Sequence, residues 1–198
     1  FDWRLVLFPT GSFEQHGHHL PFTTDTDIVS AIAARIEQAM TDRVLLLPTL
    51  WPGLSTHHMH FSGTLDVPQP VYIQLITELG KSMASMGAKK VFILNGHGGN
   101  DTPLRAALRE LKTAVPQTQF AFASYWTLAA KTLREVRESD PGGMGHACEM
   151  ETSVMLYLHP ERVKMDRAVR DGPTHTDEYR KADMQYGRPV YFVNEFHE

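Results

Sequence analysis

The residues best suited to chemistry lie between Gly11 and Asp25, in the segment GSFEQHGHHLPFTTD. Glu14 and His16 are two positions apart, so in an extended segment both side chains point the same way and can share one ion. Asp25 follows beyond the turn that Pro21 imposes, and a carboxylate that returns to the same place can bridge two ions. The segment is a candidate metal-binding loop, although such residues in a loop are also common as scattered surface polar groups.

A second candidate group is His97, in the sequence Asn95-Gly-His-Gly-Gly-Asn100. The flanking glycines allow the backbone to approach a ligand closely or to take positive φ. The turn also directs backbone N–H groups and a helix N-terminus toward anything that binds there. The alternative is a glycine-rich turn between a strand and a helix that happens to contain a histidine.

The third group is His146 with Glu149 and Glu151, at the start of a predicted helix whose apolar residues are Met150, Val154, Tyr157 and Leu158. The two glutamates are about 200° apart around a helix, so they cannot serve one ion equally. Glutamates in a first helical turn are also common simply because they suit the helix dipole. One of the two must have a different role.

Short apolar runs alternate with segments of helical periodicity along the chain. The predicted strands are Arg4 to Phe8, Val44 to Leu47, Lys90 to Leu94 and Phe120 to Ala123, and the helices begin near Asp27, Pro70, Asp101 and Glu149. This alternation predicts right-handed βαβ crossovers in an α/β fold, with a mostly parallel sheet covered by helices on both faces.

The predicted topology places the chemical groups at one edge of the sheet. Glu14 and His16 follow the first strand, the loop with His58 follows the second, His97 follows the third and Trp126 follows the fourth. In open parallel sheets, ligands bind beyond the carboxyl ends of the strands. We therefore expect these groups to form a single site.

The composition predicts one domain over residues 1–198, with 42% hydrophobic and 21% charged residues. The net charge is −4 and no stripe of Lys or Arg occurs, which argues against nucleic acid or an anionic membrane as a partner and favours a small-molecule substrate. The single Cys148 suggests a reducing compartment, and no apolar run has the length of a membrane span, so we expect a cytoplasmic protein. A further strand-like run extends from Pro189 to Phe196.

Taken together, the EQHG segment with Asp25, the NGHGGN turn and the sequence His146-x-x-Glu149-x-Glu151-Thr-Ser resemble the creatininase (creatinine amidohydrolase) family. The resemblance covers roughly residues 4 to 160, including the segment from Gly53 to Thr64. It implies a three-layer α/β/α sandwich, two divalent metal ions that are zinc or manganese, and hydrolysis of non-peptide or unusual amide C–N bonds. It also implies a homo-oligomer, commonly a homohexamer.

The resemblance assigns metal ligands residue by residue. One ion would be held by Glu14, Asp25 and His97, and the second by His16, the bridging Asp25 and Glu149. Creatininases proper carry a glutamate where this chain has Gly99 and lack an acid at the position of Glu149, so the chain resembles the other branch of the family. Glu151 would then be a buried hydrogen-bonding group.

The resemblance also assigns a proton shuttle and a substrate surface. His146 matches the histidine that moves protons in the family, and we expect Trp126, His58, Gly98 and Gly99 to contact substrate. Creatininases proper hold a flat ring between two tryptophans, and Gly142 stands where the second would be. Creatinine is therefore not the expected substrate.

The predicted function is a two-metal amidohydrolase that acts on a cyclic amide, a small amide or a formamide. A hydroxide that bridges the ions would attack the carbonyl, and His146 would protonate the leaving nitrogen. The alternatives are a peptide-trimming hydrolase of the same family and a non-catalytic metal-binding or assembly protein. A phosphoesterase is disfavoured because no Lys or Arg accompanies the motif loops to hold a phosphate.

Overall fold

A computed structural model describes residues 4–170 and 183–185 and confirms the predicted fold class. Four strands form one sheet in the order β2-β1-β3-β4, and every neighbouring pair is parallel. The strands are β1 (Leu5–Thr10), β2 (Val44–Leu46), β3 (Lys90–Asn95) and β4 (Gln119–Ser124).

Helices connect the strands and continue after the last one. They are α1 (Thr24–Ala39), α2 (Gln69–Ser85), α3 (Asp101–Ala114), α4 (Tyr125–Leu128), α5 (Ala130–Val136) and α6 (Glu149–Leu158). Short 3₁₀ turns occur at Thr56–His58 and Gly98–Asn100, on the loops that follow β2 and β3. No helix within the described ranges is both long and apolar enough to cross a membrane.

The sheet separates two apolar layers, as the alternating strand side chains require. Leu7 and Leu94 pack on one side with residues of α1 and α6. Val6, Phe8 and Ile93 pack on the other side with residues of α2 and α3. The predicted three-layer α/β/α sandwich is therefore present.

A row of polar side chains ends the apolar core at the carboxyl edge of the sheet. Asn95 pairs in register with Thr10 on one side and with Ser124 on the other. Thr10 Oγ1 donates to Asn95 Oδ1 at 3.2 Å, and Asn95 Nδ2 donates to Ser124 Oγ at 3.0 Å. This network holds the ends of three strands together where the functional loops begin.

The start of α1 and the end of β1 each differ from the sequence prediction by at least two residues, and several other strand ends differ by one. Helix α1 begins at Thr24 rather than at Asp27, and both Thr24 Oγ1 and Thr24 N donate hydrogen bonds to Pro21 O. This first turn is polar, so its residues show no apolar periodicity from which the sequence could predict it. Strand β1 continues through Pro9, which the pattern treated as its end. The missing N–H is tolerated because β2 stops at Leu46, and Pro9 O accepts a bond from Leu50 N at 2.9 Å. The strand-like run from Pro189 to Phe196 lies outside the described residues.

Candidate metal centre

The structure brings four of the five predicted ligands together at the carboxyl edge of the sheet. Glu14 and His16 lie on the loop after β1, Asp25 lies in the first turn of α1, and His97 follows β3. All four side chains are buried. Asp25 Oδ1 is 3.0 Å from His16 Nε2, and Asp25 Oδ2 is 2.8 Å from His97 Nδ1. The carboxylate of Asp25 therefore lies between the two histidines.

Backbone carbonyls fix which nitrogen each histidine presents to Asp25. His16 Nδ1 is 3.1 Å from Glu14 O, and His97 Nε2 is 2.9 Å from Leu54 O. A carbonyl only accepts hydrogen bonds, so these two nitrogens carry hydrogen. In the neutral histidines, His16 Nε2 and His97 Nδ1 then hold lone pairs directed at Asp25. Metal-binding histidines in proteins are oriented in this way, with the second nitrogen donating to a carbonyl or carboxylate.

The donor set at this position fits a divalent cation. Ligand atoms of Glu14, His16 and Asp25 lie within 4.8 Å of one another. Glu14 Oε1 is also 3.3 Å from His97 Nδ1, whereas the buried Glu14 Oε2 makes no hydrogen bond within the described part of the chain. A buried carboxylate oxygen without a donor is costly unless a cation neutralises it.

Charge within the cluster sets its protonation in the absence of an ion. Burial opposes the charged form of both histidines, but Asp25 outweighs it and raises the pKa of His16 to about 10. Likewise, Glu14 and Asp25 overcome burial and raise the pKa of His97 to about 9. Burial raises the pKa of Glu14, while the two histidines hold the pKa of Asp25 well below its usual range despite burial. A metal ion at this position would take the place of the histidine protons.

The structure does not bring the fifth predicted ligand, Glu149, to the cluster. Its carboxylate turns to the loop before α6, where Oε1 accepts from Glu138 N and Oε2 accepts from Ser139 N, both at 2.8 Å. Although partial burial opposes it, these hydrogen bonds lower the pKa of Glu149. Glu149 therefore fastens the loop on the side of α6 away from the cluster.

Glu151 is the glutamate that faces the cluster. Its side chain is buried, and Oε1 lies 4.0 Å from His16 Nε2. Oε2 accepts a bond from Cys148 N at 3.1 Å, which fixes the carboxylate at the start of α6. Burial, and secondarily the charge of Asp25, raise the pKa of Glu151 to about 7 against the opposing effect of His16. The helical spacing separates the two glutamates as predicted, but the inward one is Glu151.

His146, the residue predicted to move protons, lies beside the four-residue cluster. Its Nδ1 is 3.5 Å from Glu14 Oε1, and its ring lies 4.3 Å from the ring of His16, centroid to centroid. Burial, with positive charge on His16, lowers the pKa of His146 well below its usual value. His146 is therefore a neutral imidazole near neutral pH.

Asp183 holds the loop that carries His146 through contacts with Gly142 and Arg137. Asp183 Oδ2 accepts from Gly142 N at 2.7 Å and pairs with Arg137 Nη2 at 3.0 Å. Met184 N donates to Met144 O at 2.7 Å, two residues before His146. These contacts define the path of the loop into the site.

His58 lies next to His146 and faces the same carboxylate. Its Nε2 is 3.8 Å from Glu14 Oε1, and its ring stacks on that of His146 with centroids 4.2 Å apart. Ligand atoms of Glu14, His58 and His146 also lie within 4.8 Å of one another. The contact of His58 with substrate stays a prediction, and the structure places its ring beside Glu14 and His146.

The sequence reasoning did not identify Gln15, which lies between these two histidines. Its Nε2 is 3.0 Å from His58 Nδ1 and 3.1 Å from His146 Nε2. Strand alternation places Gln15 on the opposite side of the chain from Glu14 and His16. Its only sequence signal was its position within the EQHG segment.

Comparison with known proteins identifies the family. The family model Creatininase, described as creatinine amidohydrolase, matches residues 2–197. The chain belongs to the creatininase family.

Members of the creatininase family with known activities cover both amide and peptide chemistry. A mycofactocin precursor peptide peptidase of Mycobacterium ulcerans (strain Agy99) is 36% identical over 172 residues, which is 83% of this chain and 62% of that relative. The creatinine amidohydrolase of Pseudomonas putida is 28% identical over 184 residues, 85% of this chain and 70% of that enzyme. A solved structure, creatininase Mn, has a TM-score of 0.76 at 28% identity and covers 90% of this chain and 74% of its own. This chain thus spans less than two thirds of the length of the mycobacterial relative.

Within the creatininase fold, the remaining predicted substrate residues have different surroundings. Gly98 is exposed, and a Cβ there would have no heavy atom within 4 Å, so it borders open space. A Cβ on Gly99 would lie 2.1 Å from Leu54 O and 2.5 Å from His97 Nε2. Gly99 is therefore required for the hydrogen bond that orients His97. Trp126 is only 8% exposed and packs edge-on against Tyr125, so most of its surface lies in the core.

Proposed function

We propose that this creatininase-family chain is a metal-dependent hydrolase that cleaves an amide C–N bond. Two divalent ions, zinc or manganese, would be held by Glu14, His16, Asp25, His97 and Glu151. The observation that carries the proposal is the position of the Asp25 carboxylate between His16 Nε2 and His97 Nδ1. Nitrogen and carboxylate oxygen ligands suit both metals.

The distances divide the ligands into two overlapping sets. Glu14 Oε1 and Asp25 Oδ2 both approach His97 Nδ1, at 3.3 and 2.8 Å, and would bind the first ion with it. Asp25 Oδ1 and Glu151 Oε1 both approach His16 Nε2, at 3.0 and 4.0 Å, and would bind the second. Asp25 belongs to both sets. Glu151 replaces Glu149 in the set that the sequence resemblance implied.

His146 supplies the proton transfer that amide cleavage needs. When bound, two divalent ions sharing a carboxylate lower the pKa of a water molecule and polarise the amide carbonyl. His146 Nε2 donates to Gln15 O at 2.6 Å, so the lone pair of Nδ1 faces Glu14. At that atom the neutral imidazole can accept a proton and return it to the leaving nitrogen. The departing amine is a poor leaving group without this proton.

The substrate class has two candidates. The first is a small amide, a cyclic amide or a formamide. The second is a peptide bond, favoured by the 36% identity to a peptide peptidase against 28% to a creatinine amidohydrolase. Trp126 lies mostly in the core, and Gly142 stands where creatininases proper have the second tryptophan. Creatinine is accordingly not the proposed substrate under either candidate.

An assay of the zinc-loaded and manganese-loaded protein separates these candidates. Creatinine, formamides, cyclic amides and short peptides with free or blocked termini are incubated with each form, and the released amines are quantified. Turnover of non-peptide amides alone supports the first candidate, and turnover of peptides supports the second. Full metal loading with no turnover on any member of this panel would instead support a non-catalytic metal-binding protein.

A further inference from the structure

The side chain of Gln15 has a fixed orientation between His58 and His146. Gly17 N donates to Gln15 Oε1 at 2.9 Å. An N–H group donates, so the atom it meets is the amide oxygen, and the amide NH₂ must be the group that faces the two imidazoles. This assignment follows from the hydrogen-bond network.

The backbone of Gln15 determines the tautomer of His146. His146 Nε2 is 2.6 Å from Gln15 O, a group that only accepts. Nε2 therefore carries the hydrogen, and the lone pair of the neutral ring is on Nδ1. The 3.1 Å approach of Gln15 Nε2 to the same nitrogen is then a contact between two donors. It leaves the amide hydrogens available to His58.

The side chain of Gln15 determines the tautomer of His58 in the opposite sense. Gln15 Nε2 is 3.0 Å from His58 Nδ1, and an amide NH₂ has no lone pair to offer. His58 Nδ1 must accept this bond, so the hydrogen of the neutral ring is on Nε2, the nitrogen 3.8 Å from Glu14 Oε1. Because Nδ1 accepts this bond, the ring is the neutral form and not the imidazolium.

We propose that Gln15 is a positioning residue that gives two adjacent histidines opposite roles. His146 presents a lone pair at Nδ1, whereas His58 presents an N–H group at Nε2 toward the same region beside Glu14. By geometry alone, Glu14, His58 and His146 resemble a metal site with two histidines and one carboxylate. Gln15 disfavours His58 in that role, because an ion at Nε2 would move the ring hydrogen to Nδ1, where it would face the NH₂ group of Gln15.

The resulting N–H group suits an oxygen acceptor on a substrate. Its donor atom is preorganised because the His58 side chain is buried and its ring stacks on that of His146. A fixed donor in a buried site stabilises negative charge that develops on a carbonyl oxygen. This catalytic role of the His58 N–H group rests on the proposed amide hydrolysis, whereas the tautomers of the two rings do not depend on it.

Histidine tautomers are measured directly by ¹⁵N NMR of the full chain labelled at histidine, since Nδ1–H and Nε2–H rings give different nitrogen shifts. In the unsubstituted protein near neutral pH, we expect His58 as the Nε2–H tautomer. The isosteric variant Gln15→Glu presents a carboxylate, which accepts only, so His58 should change to the Nδ1–H tautomer. Gln117→Glu, the same change at an exposed turn position, should leave His58 as it was.

A second variant keeps the test decisive if Gln15→Glu folds poorly. Gln15→Met has a similar length but no donor, and it should convert the single His58 tautomer into a mixture. An unchanged Nε2–H signature in whichever of the two variants folds would overturn the proposal, as would an Nδ1–H ring in the unsubstituted protein. The spectra are recorded on chelator-treated and zinc-loaded samples. The chelator-treated result tests Gln15 even if zinc binding and hydrolysis both fail.

Discussion

Glu151 Oε1 lies 4.0 Å from His16 Nε2, whereas the carboxylate of Glu149 accepts hydrogen bonds from Glu138 N and Ser139 N. The two glutamates are only two positions apart at the start of α6. Their different partners give them separable roles. Glu151 completes the second ion site in the proposed function, whereas Glu149 holds the loop that leads to His146.

Exchanging each glutamate for glutamine tests this division. Glu151→Gln should lose mainly one of the two ions, because an amide is a weaker ligand than a carboxylate. Glu149→Gln should keep both ions and lose about 1 kcal/mol of stability or less, since one of its two bonds to backbone N–H is lost at a partly solvated position. Metal analysis and denaturant unfolding measure the two effects. The reverse pattern would show that Glu149 is the ligand.

Substitution of His146 separates catalysis from metal binding. His146→Ala should retain both ions and the fold but lose roughly a hundred-fold or more in turnover, about 3 kcal/mol in transition-state stabilisation. The exposed His60→Ala serves as the matched control and should keep its rate. A parallel loss of metal and activity in His146→Ala would identify His146 as a ligand, and His58 would become the first candidate for the proton donor.

Zinc binding to the chelator-treated protein should release protons. The pKa values of about 10 for His16 and about 9 for His97, raised by Asp25 and Glu14 against the effect of burial, mean that both rings are protonated at neutral pH without an ion. Zinc needs their lone pairs, so its apparent affinity should rise as the pH rises toward these values. Calorimetry in buffers of different ionisation enthalpy measures the number of protons released for each zinc ion bound. Zinc binding without proton release would contradict this prediction.

The same groups set the pH dependence of stability in the metal-free protein. For His16 and His97, the folded pKa is above the unfolded value of 6.5, so their stabilising contribution is complete below that pH and is lost as the pH rises toward about 9 to 10. Burial raises the pKa of Glu151 from 4.5 to about 7, so its contribution to stability is also lost as the pH rises, between these two values. The free energy of unfolding should therefore fall between about pH 6.5 and 10. A rise across this window, measured by denaturant titration, would be inconsistent with the buried charge cluster.

The sequence predicted that Glu14, His16, Asp25 and His97 lie together because local rules determine most of their positions. The two-residue spacing of Glu14 and His16 requires only an extended loop, and the position of His97 after a buried strand requires only a parallel sheet. The choice between Glu149 and Glu151 was not determined in this way. Helical periodicity places them on different faces, but which face is inward depends on how α6 packs against α1.

The role of Gln15 depends on contacts that are distant in the sequence. Its partners His58 and His146 are 43 and 131 residues away, so no local pattern brings them together. Asp183 is a similar case, since it reaches Gly142 across 41 residues to fasten the loop of His146. The requirement for glycine at position 99 likewise appears only when Leu54 O is in place beside His97.

The proposed function requires a pair of ions that share Asp25, and anomalous X-ray diffraction from crystals of the zinc-loaded protein locates such ions. We expect two zinc peaks, one bound by Glu14, Asp25 and His97 and the other by His16, Asp25 and Glu151. A single peak, or a peak between Glu14, His58 and His146 with none beside Asp25, would exclude a pair of ions that share Asp25.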